Sequence, residues 1–251
     1  MNFGSVGKWA KWAVVILLVL LLFFLFSPPL QELSWEETSF SSLREKMIKE
    51  QIEARGVSDS WVIEALRQVP RHLFVPENLR SQAYQDRPLP IGFGQTISQP
   101  YIVALMSESL GAKLGDKVLE VGTGSGYQAA ILAEMGCQVY SVEIVPELAD
   151  LARGRLSELG YDTVKVRAGD GYLGWEEAAP FDGIIVTCAV DHIPPPLLRQ
   201  LKEGSRMVIP VGPPWSIQTL WVVEKTDEGV VSHSLGEVRF VPLVRQEFSP
   251  E

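Results

Sequence analysis

Beyond residue 116 the chain alternates short apolar runs with amphipathic stretches, and the alternation sets out a sheet. "KVLEVG", "QVYSVEI", "TVKVRAGD", "FDGIIVTCA" and "SRMVIPVG" read as buried strands, while "YQAAILAEMG", "PELADLARGRLSELG" and "PPLLRQLKEG" between them carry helical spacing. Near-continuous apolar strands separated by helices predict a mostly parallel sheet covered on both faces, a doubly wound α/β fold. The final stretches, "IQTLWVVEKT" and "VVSHSLGEVRFVPLV", read as antiparallel edge strands. Upstream, "SLREKMIKEQIEARG" predicts a charged amphipathic helix that opens the folded part. "DSWVIEALRQVPRHLF" places Val62, Ala65, Leu66 and Val69 on one helical face, with Asp59 or Ser60 as cap and Pro70 as the stop.

The amino terminus breaks this pattern. After Lys8 and Lys11, fifteen apolar residues run without interruption from Trp12 to Phe26, shorter than the roughly 20 a full membrane span needs. A signal-peptide core fits that length, but Leu25 stands where cleavage near Ser27 wants a small residue, so an uncleaved anchor is the preferred reading. Lysines before the run and Glu32, Glu36 and Glu37 after it place the amino terminus in the cytoplasm and the remainder outside. Residues 27–42 read as a tether, which divides the chain into an apolar segment with its tether, 1–42, and one folded domain, 43–251.

Composition narrows the chemistry. The 251 residues are 46% hydrophobic and 21% charged, enough for one sizeable core. A formal net charge of −9 argues against a nucleic-acid partner, which requires a basic face. Cys137 and Cys188 lie in apolar runs and read as small buried fillers, and no Cys or His spacing suits a metal.

In doubly wound sheets ligands bind beyond the carboxyl ends of the strands, where the strand order reverses. The first strand here runs into "VLEVGTGSGYQAA", whose Gly122, Gly124 and Gly126 let backbone N–H groups and a helix start approach a ligand. A dinucleotide loop would want its third glycine at position 127, which is Tyr127. Glu120, two residues before the loop, would repel a pyrophosphate and tolerate a cation. The next strand ends at Glu143, placed to accept hydrogen bonds from both ribose hydroxyls. The third ends in "RAGDG", where Asp170 could bind an adenine amino group and Gly171 lets the ring lie flat. Either acid alone is more often a solvated strand end. Together with the loop they point to S-adenosylmethionine, a nucleoside that carries a sulfonium charge.

The acceptor of the methyl group is a separate question. The fourth strand lacks the acid, proline pair and aromatic typical of amino-directed nucleic-acid methyltransferases: "VTCAVDHIPPP" displaces the prolines and omits the aromatic. The stretches "MIKEQIEARGV", "VPRHLFVPENLRSQAYQDRPLPIGFGQTISQPYIVALM", "GDGYLGW", "PFDGIIVTCA" and "VRFVPLV", in this order with the glycine loop, resemble the protein-L-isoaspartate O-methyltransferases, and "GQTIS" is the most diagnostic. The likeness spans residues 47–245. It departs at Ser205, where the family usually has glycine, a loop change expected to be harmless.

The resemblance implies a Rossmann-like class I methyltransferase fold and methylation of the α-carboxylate of isoaspartyl residues, followed by spontaneous closure to a succinimide and partial return to aspartate. It implies Ser98 as the active residue. Ile97 falls on the cofactor side, and Gln95, Thr96, Gln99 and Val241 fall on the peptide side. Ser98 can equally be read as a helix cap ahead of Pro100, and a cap hydroxyl at a positive helix end also suits a carboxylate. His72 and His192 read as structural. Two other readings fit the residues: a methyltransferase of the same fold acting on a small molecule or another carboxylate, and a non-catalytic, membrane-tethered binding module. The domain is expected to be a monomer. Export would separate it from a cofactor made from cytoplasmic ATP, so the side of the membrane on which it works is left open.

Overall fold

The structure, a computed structural model, describes residues 30–245, and for 30–38 the backbone alone. The apolar run from Trp12 to Phe26 lies outside the described residues, so the anchor reading rests on sequence. Among the described residues no helix is long and apolar enough to cross a membrane. The chain divides after Leu43, and the unit from Arg44 onward carries the sheet and the site.

In chain order the elements are α1 (Leu30–Met47), α2 (Ser60–Gln68), β1 (Leu89–Gly92), β2 (Gln95–Ile97), α3 (Pro100–Leu110), β3 (Lys117–Val121), α4 (Tyr127–Glu134), β4 (Gln138–Glu143), α5 (Pro146–Glu158), β5 (Lys165–Ala168), β6 (Phe181–Val186), α6 (Pro195–Gln200), β7 (Leu201–Val211), β8 (Gln218–Thr226) and β9 (Gly229–Val238). The large sheet runs β5-β4-β3-β6-β7-β8-β9. Its first five strands are parallel and the last two antiparallel, as the alternation predicted. Strand order reverses between β3 and β6, so the carboxyl ends of those two strands frame a crevice.

Both faces of the central strands are buried. Leu119, Val121, Val142, Ile184, Val186, Met207 and Ile209 pack on one face with Leu197 of α6. On the other face Leu110 of α3 lies against Gly183, where any side chain would press into it. Each large aliphatic side chain buried this way contributes roughly 1.5–3 kcal/mol, which is why the strands tolerate so few polar residues.

Four expectations need correction. Residues 30–42, read as a tether, are helical from Leu30, and α1 gives way at Ile48 to a wider turn rather than running through "IKEQIEARG". The "GQTIS" stretch, to which the sequence pattern assigned no element, belongs to one: β1 and β2 form a two-stranded antiparallel hairpin. The helix read into "PPLLRQLKEG" stops at Gln200, and Leu201 already pairs with Phe181 in the sheet. The last strand ends at Val238, beyond which residues 239–245 cross the strand ends and bridge Ala189 at Pro242. The other local signals held: Asp59 caps α2 by accepting from the N–H groups of Trp61 and Val62, and both cysteines are buried and unpaired.

Candidate active site

The carboxyl ends of β3, β4, β5 and β6 converge, and the glycine loop after β3 is tied to its neighbours by polar side chains. Glu143 accepts from Gly124 N at 2.8 Å through Oε2 and from Val145 N at 3.0 Å through Oε1. A carboxylate has about four acceptor positions, so two remain for a diol held over the strand end. Thr187, just past β6, donates its hydroxyl to Gly122 O at 2.6 Å. Gly122 has φ +97°, and a β-carbon there would lie 2.5 Å from Thr187 Oγ1. Gly122→Ala should therefore cost about 2 kcal/mol or more and lower cofactor affinity with it; thermal denaturation with and without cofactor checks both.

A narrow cleft lies over this loop, lined by Gln95, Thr96, Ile97, Ser98, Gly122, Gly124, Glu143, Gly171 and Val241 among others. Most of the residues singled out in the sequence are thus brought together. Gly126 is not in the lining: at φ +87° it starts α4 and packs against Leu156 of α5. Asp170 is not in the lining either, although its neighbour Gly171 is; it is buried, its Oδ1 accepting from Tyr172 N at 3.0 Å and its Oδ2 paired with Arg245 at 3.3 Å. Gln99 faces away from the cleft into a second cavity.

The cleft fits a cationic nucleoside. Glu120 lines it and is 0% exposed. Its Oε2 accepts from Ser141, whose hydroxyl also meets Thr123, while Oε1 is buried without a partner. Burial pushes this carboxyl up to about 8, with the nearby Glu143 charge adding to the rise and the Ser141 hydroxyl opposing it. A buried carboxyl whose Oε1 lacks a hydrogen-bond partner would be stabilised in its charged form by a cation held in the cleft, and phosphate would offer it no such partner.

The second cavity is an open groove of about 800 Å³ that shares Thr96, Ser98, Thr187 and Val241 with the cleft. These four residues form the partition between the two spaces. None of them is ionisable, and three carry hydroxyls. Ser98 is not the cap of α3: Gln99 occupies that position without a side-chain cap bond, followed by Pro100. The Val241 carbonyl is already engaged, accepting from Ala189 N at 2.8 Å.

Arg71, which sequence reasoning passed over, fixes the partition from behind. It is 0% exposed and, among the described residues, has no carboxylate in contact; it donates to Ala83 O and to Ser98 O, each at 2.7 Å. Its guanidinium also lies over the Tyr127 ring at 4.9 Å, and burial holds its pKa down to about 10. Because the peptide unit is planar and trans, a Ser98 carbonyl aimed at Arg71 turns the Gln99 N–H the other way. The signal in the sequence was one arginine in the mostly apolar run "VPRHLFV" at residues 69–75, too weak to interpret without its carbonyl partners. The two histidines differ. His72 is buried against the Tyr84 hydroxyl, and His192 is exposed between Asp191 and Tyr172.

Comparison with known proteins gives these spaces a context. The family model described as protein-L-isoaspartate(D-aspartate) O-methyltransferase matches residues 42–248. A protein-L-isoaspartate O-methyltransferase of Nitrosospira multiformis is 57% identical over 81% of this chain and 88% of its own length. One from Gloeobacter violaceus is 55% identical over 80% of this chain and 98% of its own. Among solved structures, a protein-L-isoaspartate O-methyltransferase superposes with a TM-score of 0.72 at 34% identity, covering 79% of this chain and 65% of that one. A second, from Plasmodium falciparum and described as such an enzyme in complex with S-adenosyl-L-homocysteine, has a TM-score of 0.69 at 26% identity over 82% of this chain and 99% of its own.

Proposed function

Because the chain belongs to the protein-L-isoaspartate(D-aspartate) O-methyltransferase family, we propose that its cleft and groove meet in order to bring a damaged polypeptide's carboxylate against a methyl donor. The enzyme methylates L-isoaspartyl residues at the free α-carboxylate and so starts their repair. The observation that carries this reading is the partition: Thr96, Ser98, Thr187 and Val241 line both spaces, so reactants held on its two sides are adjacent.

S-adenosylmethionine, once bound, supplies an electrophilic methyl on a sulfonium. Residues that would hold it are Glu143 at the ribose, Glu120 at the cationic end, the backbone of Gly122 and Gly124, Ile97, and Gly171 with Asp170 at the base. Asp170 would share its Oδ2 with Arg245.

The nucleophile needs little help, since an α-carboxylate with a pKa near 3.5 is ionised at neutral pH. What remains is to hold it in line at roughly 3 Å without quenching its charge. Ser98 does this with a hydroxyl, backed by the Gln99 N–H and Thr96. Arg71, the buried cation bonded to the Ser98 carbonyl, is spent on main-chain carbonyls instead of on the nucleophile. Gln95, Gln99 and the backbone beside Val241 would steer the extended substrate; Val241's own carbonyl is taken up by Ala189, which leaves that pairing to its neighbours.

Residues 12–26 read as a membrane anchor for this domain, a proposal supported by their apolar sequence alone, and the family match begins only at residue 42. Transfer of labelled methyl to an isoaspartyl peptide and to its normal aspartyl twin tests the activity. Transfer to the first alone is expected, and equal transfer to both, or to neither, would send the search to other carboxylates.

A further inference from the structure

The groove is far larger than one isoaspartyl residue requires. At about 800 Å³ it matches a site for a ligand of drug size, and most of its lining away from the partition is apolar: Tyr101, Ile102, Trp215, Ile217 and Phe240. Trp215 is the unusual member, because it is 79% exposed and holds a left-handed backbone at φ +59°. Both are unfavourable for a large aromatic in a free loop.

The loop that carries it is built. Gln218, 1% exposed, donates through Nε2 to Pro213 O and to Ser216 O, each at 2.9 Å, and through Oε1 accepts from Phe240 N at 2.9 Å. One buried amide with all these bonds satisfied clamps residues 213–216 to the segment that also carries Val241 of the partition. The backbone that presents the indole to the groove is therefore tied to the same support as the reacting end. Rigid aromatic presentation of this kind lowers the entropy lost when a side chain docks.

We infer that Trp215, with Ile217 and Phe240, forms a seat for an apolar side chain of the substrate, aliphatic or aromatic, flanking the isoaspartyl residue. The occupant is the same polypeptide that places its carboxylate at Ser98. The argument for it is continuity, since the seat and the partition line one groove. Charge agrees: the ionisable side chains of the lining are Arg55, Glu237 and Arg239, with Tyr101, and Arg55 is already paired with Asp86 and stacked on Tyr101 at 3.3 Å. The groove thus offers an acidic flank little beyond Arg239. This seat rests on the methyl-transfer reading above.

The test uses the full chain and a glycine–serine peptide with one isoaspartate, into which a single leucine or tryptophan is placed at each of three positions on either side. For the wild type, at least one position should raise kcat/KM about tenfold over the parent peptide. In Trp215→Ser that ratio should fall below about twofold, while glutamate at the same position gains nothing in either protein. A wild type that treats every flank like the parent, or a preference that survives in Trp215→Ser, overturns the seat while leaving the methyl-transfer reading intact. Transfer to none of the peptides overturns that reading, and the seat with it.

Discussion

Ser98→Ala should reduce kcat/KM for an isoaspartyl peptide by about a hundredfold to a thousandfold while leaving cofactor affinity within about twofold. The separation follows from where the parts of Ser98 point. Its carbonyl is held by Arg71, and its loop by the β1–β2 hairpin register that pairs Leu89 with Ile97; neither depends on the side chain. What the substitution removes is a hydroxyl on the partition, which in the proposed mechanism is the donor that fixes the attacking carboxylate oxygen. In the proposed arrangement the cofactor is held mainly from the other side, by Glu143 and the loop it bonds. Steady-state kinetics with labelled methyl measures the first quantity and cofactor-induced thermal stabilisation the second. Unchanged kinetics would move the role to the hydroxyls of Thr96 or Thr187 on the same wall. A parallel loss of cofactor binding would show that the loop itself had shifted.

The sheet and the cofactor cleft were legible in the sequence because both are written in local patterns. Apolar strands at regular spacing can only be buried on two faces, and glycines that must take positive φ stand together at one strand end. The same locality located Asp59 as a cap. It misled at Ser98, where a good capping residue stands one position too early: the residue before a proline is driven to extended backbone, and Gln99, at ψ 137°, takes the N-cap although its side chain caps nothing.

The hairpin was missed because Phe93, with φ +52°, stands at its turn where glycine or asparagine is the usual signal. Contacts between distant residues were not legible at all. Arg71 reads as one charge in an apolar stretch, and its meaning comes from carbonyls 12 and 27 residues further on. The pairing of Asp170 with Arg245 spans 75 residues. Nothing in either local stretch announces it.

Glu120 gives the second large effect, and its sign can be worked out from its surroundings. Burial raises its carboxyl from 4.5 to about 8 in the folded protein. Below pH 4.5 both folded and unfolded chains carry the proton. As pH rises from there towards 8 the unfolded chain releases it and the folded chain does not, so stability falls by about 1.4 kcal/mol per pH unit through that window. Above about 8 the folded chain ionises too and the loss levels off. Glu120→Gln removes the titrating group, so its advantage in melting temperature over the wild type should be small near pH 5 and widest at pH 8 to 9. Taking the difference cancels whatever titrates alike in both proteins.

Cofactor binding should run the opposite way. In the proposed arrangement a cation held near Glu120 stands in for its proton, so wild-type affinity should tighten by up to about tenfold per pH unit between pH 6 and 8. In Glu120→Gln it should be weaker and flat across that range. Calorimetric titration in two buffers of different ionisation enthalpy would show the proton released by the wild type alone. A wild-type affinity that ignores pH, with no proton released, would mean that the cation sits elsewhere and that the orphaned oxygen at Glu120 serves the loop beneath it.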